Sequence, residues 1–273
     1  MAKRLESPSS INTFKQCRRK YYYQYIEKLP TVPNVHQVRG NITHSVLEFF
    51  FDIDISEFSL ENYALKCREI IQKLFLSTWK NYQSKLNELN LNQDIKQFYF
   101  EETMLMLMNW VNHFINDLKD IAAKKGISVQ EAFKELTPIR EQEINSKEHY
   151  VRGFIDAIKQ VNEEIHIIDY KTNSTFEFKE SFKLQLAIYS LLYLELHGRK
   201  PDKVGIFFLR SKLKMMNVDE DLLELARKEI AFIHGHTQEK EQMEHYPKTV
   251  SGLCKWKSGQ CDFYGVCKPH EAR

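Results

Sequence analysis

Between residues 150 and 171 apolar and polar positions alternate in two short runs. The first sets Val151, Gly153, Ile155 and Ala157 against Arg152, Phe154, Asp156 and Ile158, and residues 165–171 alternate in the same way. A period of two sends successive side chains to opposite faces, so both runs predict strands. The polar break Asn162-Glu163-Glu164 is short enough to join them as an antiparallel hairpin. Downstream, Leu184, Ala187, Ile188, Leu191, Leu192 and Leu196 recur at helical spacing. They predict an amphipathic helix over 178–197, followed by an apolar strand over 203–210. Strand, strand, helix, strand is the order of an α/β core with helices on a small mixed sheet.

Residues 45–136 read as mainly helical, with segments at 60–85, 98–125 and 130–136 and a connecting loop at 87–94. Another helix runs from the Arg39-Gly40-Asn41-Ile42-Thr43-His44 stretch through Leu47 and Phe49 to Phe51. Met104, Met106, Met108 and Trp110 are read as core packing. A last helix is predicted over 222–236, and Pro247 ends regular structure before the tail. That tail, 252–269, is rich in Cys, Lys, Gly and aromatics and cannot build a hydrophobic core of its own, so a metal is its natural organiser. Neither repeats nor low-complexity linkers interrupt the chain. The expected division of one domain over 1–273 is amino-terminal helices (1–44), a helical insertion (45–136), a core (137–215), and a last helix with cysteines (216–273).

At 273 residues, 42% hydrophobic and 28% charged, the composition is that of one elaborated globular domain. No apolar run reaches eighteen residues, so no membrane span is expected. A net charge of +2 neither demands nor excludes nucleic acid, because clustering matters more. Arg18-Arg19-Lys20 followed by Tyr21, Tyr22, Tyr23 and Tyr25 is such a cluster. Its cations could neutralise phosphates and its rings could stack on unpaired bases. The plainer alternative packs the tyrosines inward around Cys17. It is expected for at least two of them, since three consecutive helical residues point three ways.

The chemistry sits on the hairpin. Asp156 and Asp169 are placed to face each other, and Lys171 shares a strand face with Asp169. Hard cations such as Mg²⁺ or Mn²⁺ take one or two carboxylates and leave room for water and phosphate. The two aspartates and a backbone carbonyl near Tyr170 would supply that set for phosphodiester hydrolysis, with Lys171 neutralising developing charge. Taken alone, Asp-x-Lys in a strand is more often a solvated ion pair, and a helical histidine such as His44 is more often structural than a ligand. Gln185 and Tyr189, four apart on a helix, can reach one site together. Glu141 and Glu143, two apart, would share a strand face, and Glu143 is taken as the additional acid.

In combination, Gly40 with His44, the acidic strand at Glu141 and Glu143, Gly153-x-x-Asp156, Asp169-Tyr170-Lys171 and Gln185-x-x-x-Tyr189 resemble, in order, the motifs of PD-(D/E)XK nucleases of the RecB-like branch. That branch includes CRISPR-associated adaptation nucleases, the AddB subunit of recombination machines and phage exonucleases. The resemblance implies a restriction-endonuclease-like core in which Lys171, Asp156, Asp169 and Glu143 are catalytic. His44, Asp156, Asp169 and the Tyr170 carbonyl would hold Mg²⁺ or Mn²⁺, and Gln185, Tyr189, Arg18, Arg19 and Tyr22 would contact DNA. The helical insertion would cover the active site and narrow a channel for a single strand.

The segment from Ser7 to Tyr23 is similar to the opening of iron–sulfur members of the branch, where one cluster cysteine is amino-terminal and three lie at the far end. By resemblance Cys17, Cys254, Cys261 and Cys267 would ligate a [4Fe–4S] cluster that staples the two chain ends together. Their spacing, Cys254-x6-Cys261-x5-Cys267, departs from the tighter Cys-x2-Cys expected there, as though residues 255–260 were inserted. Other readings of the cysteines are buried small hydrophobes, a four-thiolate Zn²⁺ site, and disulfides. The polar Met1–Glu6 start carries no leader pattern, which makes disulfides the weakest of these and a cytoplasmic setting, a host's if the source is viral, the expectation. The functional expectation is a metal-dependent exonuclease on single-stranded DNA ends, with a recombination or helicase partner. A non-hydrolytic DNA-binding subunit and an enzyme acting on RNA are the alternatives. Every motif position is filled, which favours the enzyme.

Overall fold

The computed structural model describes residues 3–173, 176–238, 242–257 and 259–269. The first helix, α1 (Pro8–Gln16), begins at a reciprocal cap. The Ser7 side chain accepts from the Ser10 amide, the Ser10 hydroxyl accepts from the Ser7 amide, and Pro8 occupies the first turn. A short α2 (Arg18–Tyr21) runs into a π-helical turn at Tyr22–Ile26. Asn34 and Gln37 repeat the reciprocal cap at the start of α3 (Val35–Phe49). Then come α4 (Tyr63–Asn81), α5 (Gln83–Glu88), α6 (Gln93–Lys125) and α7 (Val129–Leu136). The loop expected at 87–94 shrinks to residues 89–92, because α5 continues through Glu88 and Asn92 already caps α6.

The core follows as β1 (Ile139–Ser146), β2 (Val151–Val161), β3 (Glu164–Lys171), α8 (Glu180–His197), β4 (Lys203–Phe208) and β5 (Leu213–Asn217). After it come α9 (Glu220–Thr237), a two-residue hairpin of β6 (Lys255–Trp256) and β7 (Gly259–Gln260), and α10 (Tyr264–Cys267). The five-stranded sheet runs in the order β1-β2-β3-β4-β5, with β3 and β4 parallel and every other pair antiparallel. β2 and β3 close through a two-residue turn, Val161 opposite Glu164, in which Asn162 takes φ +57°. α8 makes the crossover that a parallel pair requires.

Successive residues of the central strands go to two separate cores. Ile167 and Ile206 face α1, α8 and α9, whereas Ile168 and Phe207 face α3, α4, α6 and α7. The helical insertion therefore builds a full second layer on the sheet. α8 differs from the amphipathic pattern expected of it: every residue from Leu186 to Tyr193 is buried, because the sheet lies on one side and α1 and α9 on the other. The amino-terminal segment adds a single bridge, Glu6 to Val151, along β2. Among the described residues no helix is long and apolar enough to cross a membrane.

Two glycines separate close packing from open space. A Cβ on Gly205 would lie 2.2 Å from the Met215 sulfur and 2.5 Å from the Lys214 carbonyl oxygen, whereas one on Gly40 would meet nothing within 4 Å. Gly205→Ala is expected to cost about 1–3 kcal/mol, as overpacking does. Gly40→Ala, inside α3, is expected to add roughly 0.5–1 kcal/mol by restricting the unfolded chain. Urea titration measures both, and an unchanged midpoint for Gly205→Ala would contradict the β4–β5 register.

Candidate metal centre

The site forms where β2 and β3 part. Their ladder ends at Ala157 opposite Ile168, one step short of the two aspartates. The Tyr170 amide, which no longer has a strand partner on that side, donates to Asp156 Oδ2 at 2.7 Å. β2 stays paired with β1, whose register carries Glu141 to the place across from Asp156, with φ +46°. From α3, His44 Nδ1 reaches Asp156 Oδ1 at 3.3 Å and Glu141 Oε1 at 3.6 Å. The ligand atoms of His44, Glu141 and Asp156 all lie within 4.8 Å of one another. Burial pulls the His44 imidazole down, but the Asp156 charge and hydrogen bonds to Asp156 and Glu141 outweigh it and push it up to about 10. A cation is thus favoured between these carboxylates.

Asp169 and Lys171 stand on the end of β3. Asp169 is 2% exposed. Its Oδ1 accepts from Gln185 Nε2 at 2.7 Å, while Oδ2 lies 2.8 Å from the Lys171 ammonium without hydrogen-bond geometry. Lys171 Nζ also donates to Gln185 Oε1 at 3.0 Å, and Gln185 Nε2 donates to the Tyr189 hydroxyl at 2.7 Å. One amide of α8 therefore fixes a carboxylate, an ammonium and a phenol together. Burial raises the Asp169 carboxyl, to about 6, with Lys171 opposing the rise and Asp156 adding to it. Burial, then the Asp169 charge, holds the Tyr189 phenol well above its ordinary range, so it stays protonated. The donor set of His44, Glu141 and Asp156, two carboxylates and an imidazole, suits a divalent cation, and beside it one buried oxygen of Asp169 lacks a hydrogen bond.

α3 is fixed to its neighbours by a second buried charge. Arg39, 2% exposed, forms an ion pair with Glu102 of α6 and donates to the Thr172 carbonyl at 3.4 Å, while Arg210 reaches the same Glu102 at 2.6 Å. The insertion thereby grips the helix that carries His44 and the strand end that carries Lys171. Nothing in the sequence patterns singled out Arg39, Glu102 or Arg210, because their link spans three distant segments.

Four expected site residues lie elsewhere. Glu143 pairs with Phe154, two residues along from Asp156, and its carboxylate is 3.8 Å from Arg152, so Glu141 takes the acidic position instead. Arg19 is 3% exposed and donates to the carbonyls of Tyr246 and Met243. Tyr22 is 6% exposed, and its hydroxyl donates to Glu27 at 2.5 Å. Neither is free to meet DNA; both are spent holding the amino-terminal helices to the carboxyl-terminal segment. Arg18 is half-buried over the rings of Phe14 and Phe232, 5.2 and 5.9 Å from their centroids.

The cysteines group as their spacing did not suggest. Lys255 pairs with Gln260 and Trp256 with Gly259 in the β6–β7 hairpin, and the Cys261 amide donates to the Cys254 carbonyl at 2.9 Å across its base. The two cysteines become neighbours in spite of the extra residues between them. Cys17, Cys254, Cys261 and Cys267 line one cavity, closed by Tyr23 and Phe263. Cys67 is buried apart in α4, its thiol pushed up to about 12 by burial.

Comparison with known proteins gives four results. A solved structure from Eubacterium rectale, described as a candidate exonuclease, is similar over 99% of this chain and 89% of its own, at 9% identity and a TM-score of 0.53. A second, described as SSO0001, covers 86% of this chain and 98% of its own at 15% identity, with a TM-score of only 0.30. No curated protein matches in sequence. A family model described as the PD-(D/E)XK nuclease superfamily matches residues 6–268, nearly the whole chain, and with the sheet and site above it places the protein: the chain belongs to the PD-(D/E)XK nuclease superfamily.

Proposed function

We propose that this protein is a metal-dependent exonuclease that hydrolyses phosphodiester bonds from single-stranded DNA ends. The observation that carries the reading is the convergence of His44, Glu141 and Asp156 beside the Asp169, Lys171 and Gln185 network. His44, Glu141, Asp156, Asp169 and the Tyr170 carbonyl would hold Mg²⁺ or Mn²⁺. Such an ion supplies Lewis-acid polarisation of the phosphate and a more acidic water. Lys171, held between Asp169 and Gln185, keeps donors free for a phosphate oxygen and opposes the negative charge that grows on it. Gln185 orients both groups, and the neutral Tyr189 phenol completes the donor row. Strand-end chemistry of this kind serves recombination, repair, adaptation to foreign DNA or phage DNA processing, with a helicase as the natural partner.

We further propose that Cys17, Cys254, Cys261 and Cys267 hold a [4Fe–4S] cluster. Their shared cavity supports four thiolates on one centre, and the β6–β7 hairpin accounts for the long Cys254–Cys261 spacing. The group would tie the amino-terminal helices to the carboxyl-terminal tail.

Anaerobically purified protein with Mg²⁺ or Mn²⁺ should shorten end-labelled single-stranded DNA. Asp169→Ala and Lys171→Ala should each lower the rate on the order of 10²-fold or more. Equal activity in all three proteins would mean a contaminant, and DNA binding without cleavage by the intact protein would favour the non-hydrolytic subunit. Gln185→Ala should cost about 10–100-fold in Mn²⁺ affinity or rate, the usual effect of removing a group that orients ligands. Iron and sulfide analysis should find about four of each per chain, lost in Cys261→Ala. Zinc in their place would make the tail a zinc site.

A further inference from the structure

The outer face of the β1–β2 ribbon is covered by neither core. Side chains two apart share a strand face, so Phe154 and Arg152 form one row, and Asp156 of the metal centre follows two residues beyond Phe154 on the same strand. Across the ribbon Glu143 stands opposite Phe154 and Asn145 opposite Arg152. A solvated strand face ordinarily carries polar residues, yet Phe154 is 48% exposed and Tyr150, just before β2, is 41% exposed. Lys3, Lys147 and Arg152 share a surface cavity with Tyr150, and among the described residues Glu143 is the only carboxylate lining it. The Lys3 ammonium lies 5.9 Å from the Tyr150 ring centroid. Main-chain bonds hold the amino-terminal segment there: the Glu6 amide donates to the Tyr150 carbonyl at 2.9 Å and the Arg152 amide to the Glu6 carbonyl at 2.8 Å.

We infer that this strip is the path along which single-stranded DNA reaches the catalytic centre. The inference rests on the nuclease reading above and adds where the strand lies. Three cations against one carboxylate suit a phosphate backbone, and exposed rings offer stacking faces to bases. A duplex keeps its bases stacked on one another, so open rings favour an unpaired strand. From Tyr150 to Asp156 the chain advances six residues, about 20 Å at strand rise, which leaves room for more than one nucleotide before the scissile bond. The strip ends at Asp156, so a strand lying on it delivers its phosphates in line to the metal ligands.

Photo-crosslinking of intact protein to a thymidine oligonucleotide carrying 5-iododeoxyuridine, with Ca²⁺ replacing Mg²⁺, tests the path. Crosslinks mapped by mass spectrometry are expected on Phe154 and Tyr150. Binding measured by fluorescence anisotropy should weaken roughly tenfold in Phe154→Ala. For the Lys147→Ala/Arg152→Ala double variant, the slope of log Kd against log salt should fall by about 1.4, two phosphate contacts' worth on a single strand. All the substituted residues are exposed, and the crosslink needs no substitution. If the oligonucleotide is bound and, with Mg²⁺, cut, but the strip takes no crosslink and the variants bind as the intact protein does, the path is wrong and the nuclease reading stands. Preferential binding of the matching uridine RNA would overturn the assignment to DNA. If no oligonucleotide is bound or cut, the path and the nuclease reading fall together.

Discussion

The structure is organised by the need to keep two aspartates buried where β2 and β3 separate. An ionised carboxylate removed from water carries a penalty of several kcal/mol unless charges and donors replace the solvent. Asp156 receives a main-chain donor, the Tyr170 amide, only because the strands have parted. Asp169 receives Gln185 and Lys171, and the imidazole of His44 answers the combined charge of Asp156 and Glu141. The partners come from three elements, β3, α8 and α3. A fold that satisfied these carboxylates wholly from within would leave no use for a cation. Here Oδ2 of Asp169 has the Lys171 ammonium 2.8 Å away but no hydrogen bond of good geometry, and burial still raises that carboxyl.

Such a site needs rigid supports on both sides of the sheet. α8 is buried through its middle turns, so the rotamers of Gln185 and Tyr189 are set by packing against the sheet, α1 and α9. Gly153 contributes by absence, since a Cβ there would lie 2.9 Å from Tyr189 and Leu192 side-chain atoms. On the opposite face, the Arg39–Glu102–Arg210 link fastens α3 to α6 and to the turn after β4. These helices are therefore part of the frame of the site: without α6, the buried Arg39 on the helix that offers His44 would lose its counter-charge.

Much of this was legible in the chain, and the exceptions have physical causes. The β2–β3 hairpin and the Asp169, Lys171, Gln185 and Tyr189 positions follow from periods of two and four, which are local properties. Choosing Glu141 over Glu143 requires the register of β1 on β2, set by the four residues at 147–150 that turn one strand into the other; alternation alone cannot supply it. β5 shows no clean alternation because it is an edge strand, half-buried along its middle. Arg19 and Tyr22 look like a nucleic-acid surface until Tyr246 and Met243, more than two hundred residues later, are found against them.

That late segment explains why the chain ends depend on each other. Phe14, Tyr21, Tyr22 and Tyr246 form one aromatic cluster, with Tyr21 and Tyr246 stacked at 6.0 Å, and Tyr23 meets Phe263 at 5.6 Å. Beyond these contacts the tail has a two-residue hairpin and a single helical turn, with Phe263 its one fully buried large side chain among the described residues after Tyr246. The aromatic cluster brings the ends to the same place, and a metal group on the four thiolates would convert proximity into a fixed link. α1, which packs on both α8 and α9, would then be braced from its far end. Through α8 that brace reaches Gln185, so a structural cluster remote from the phosphate would still contribute to the precision of the site.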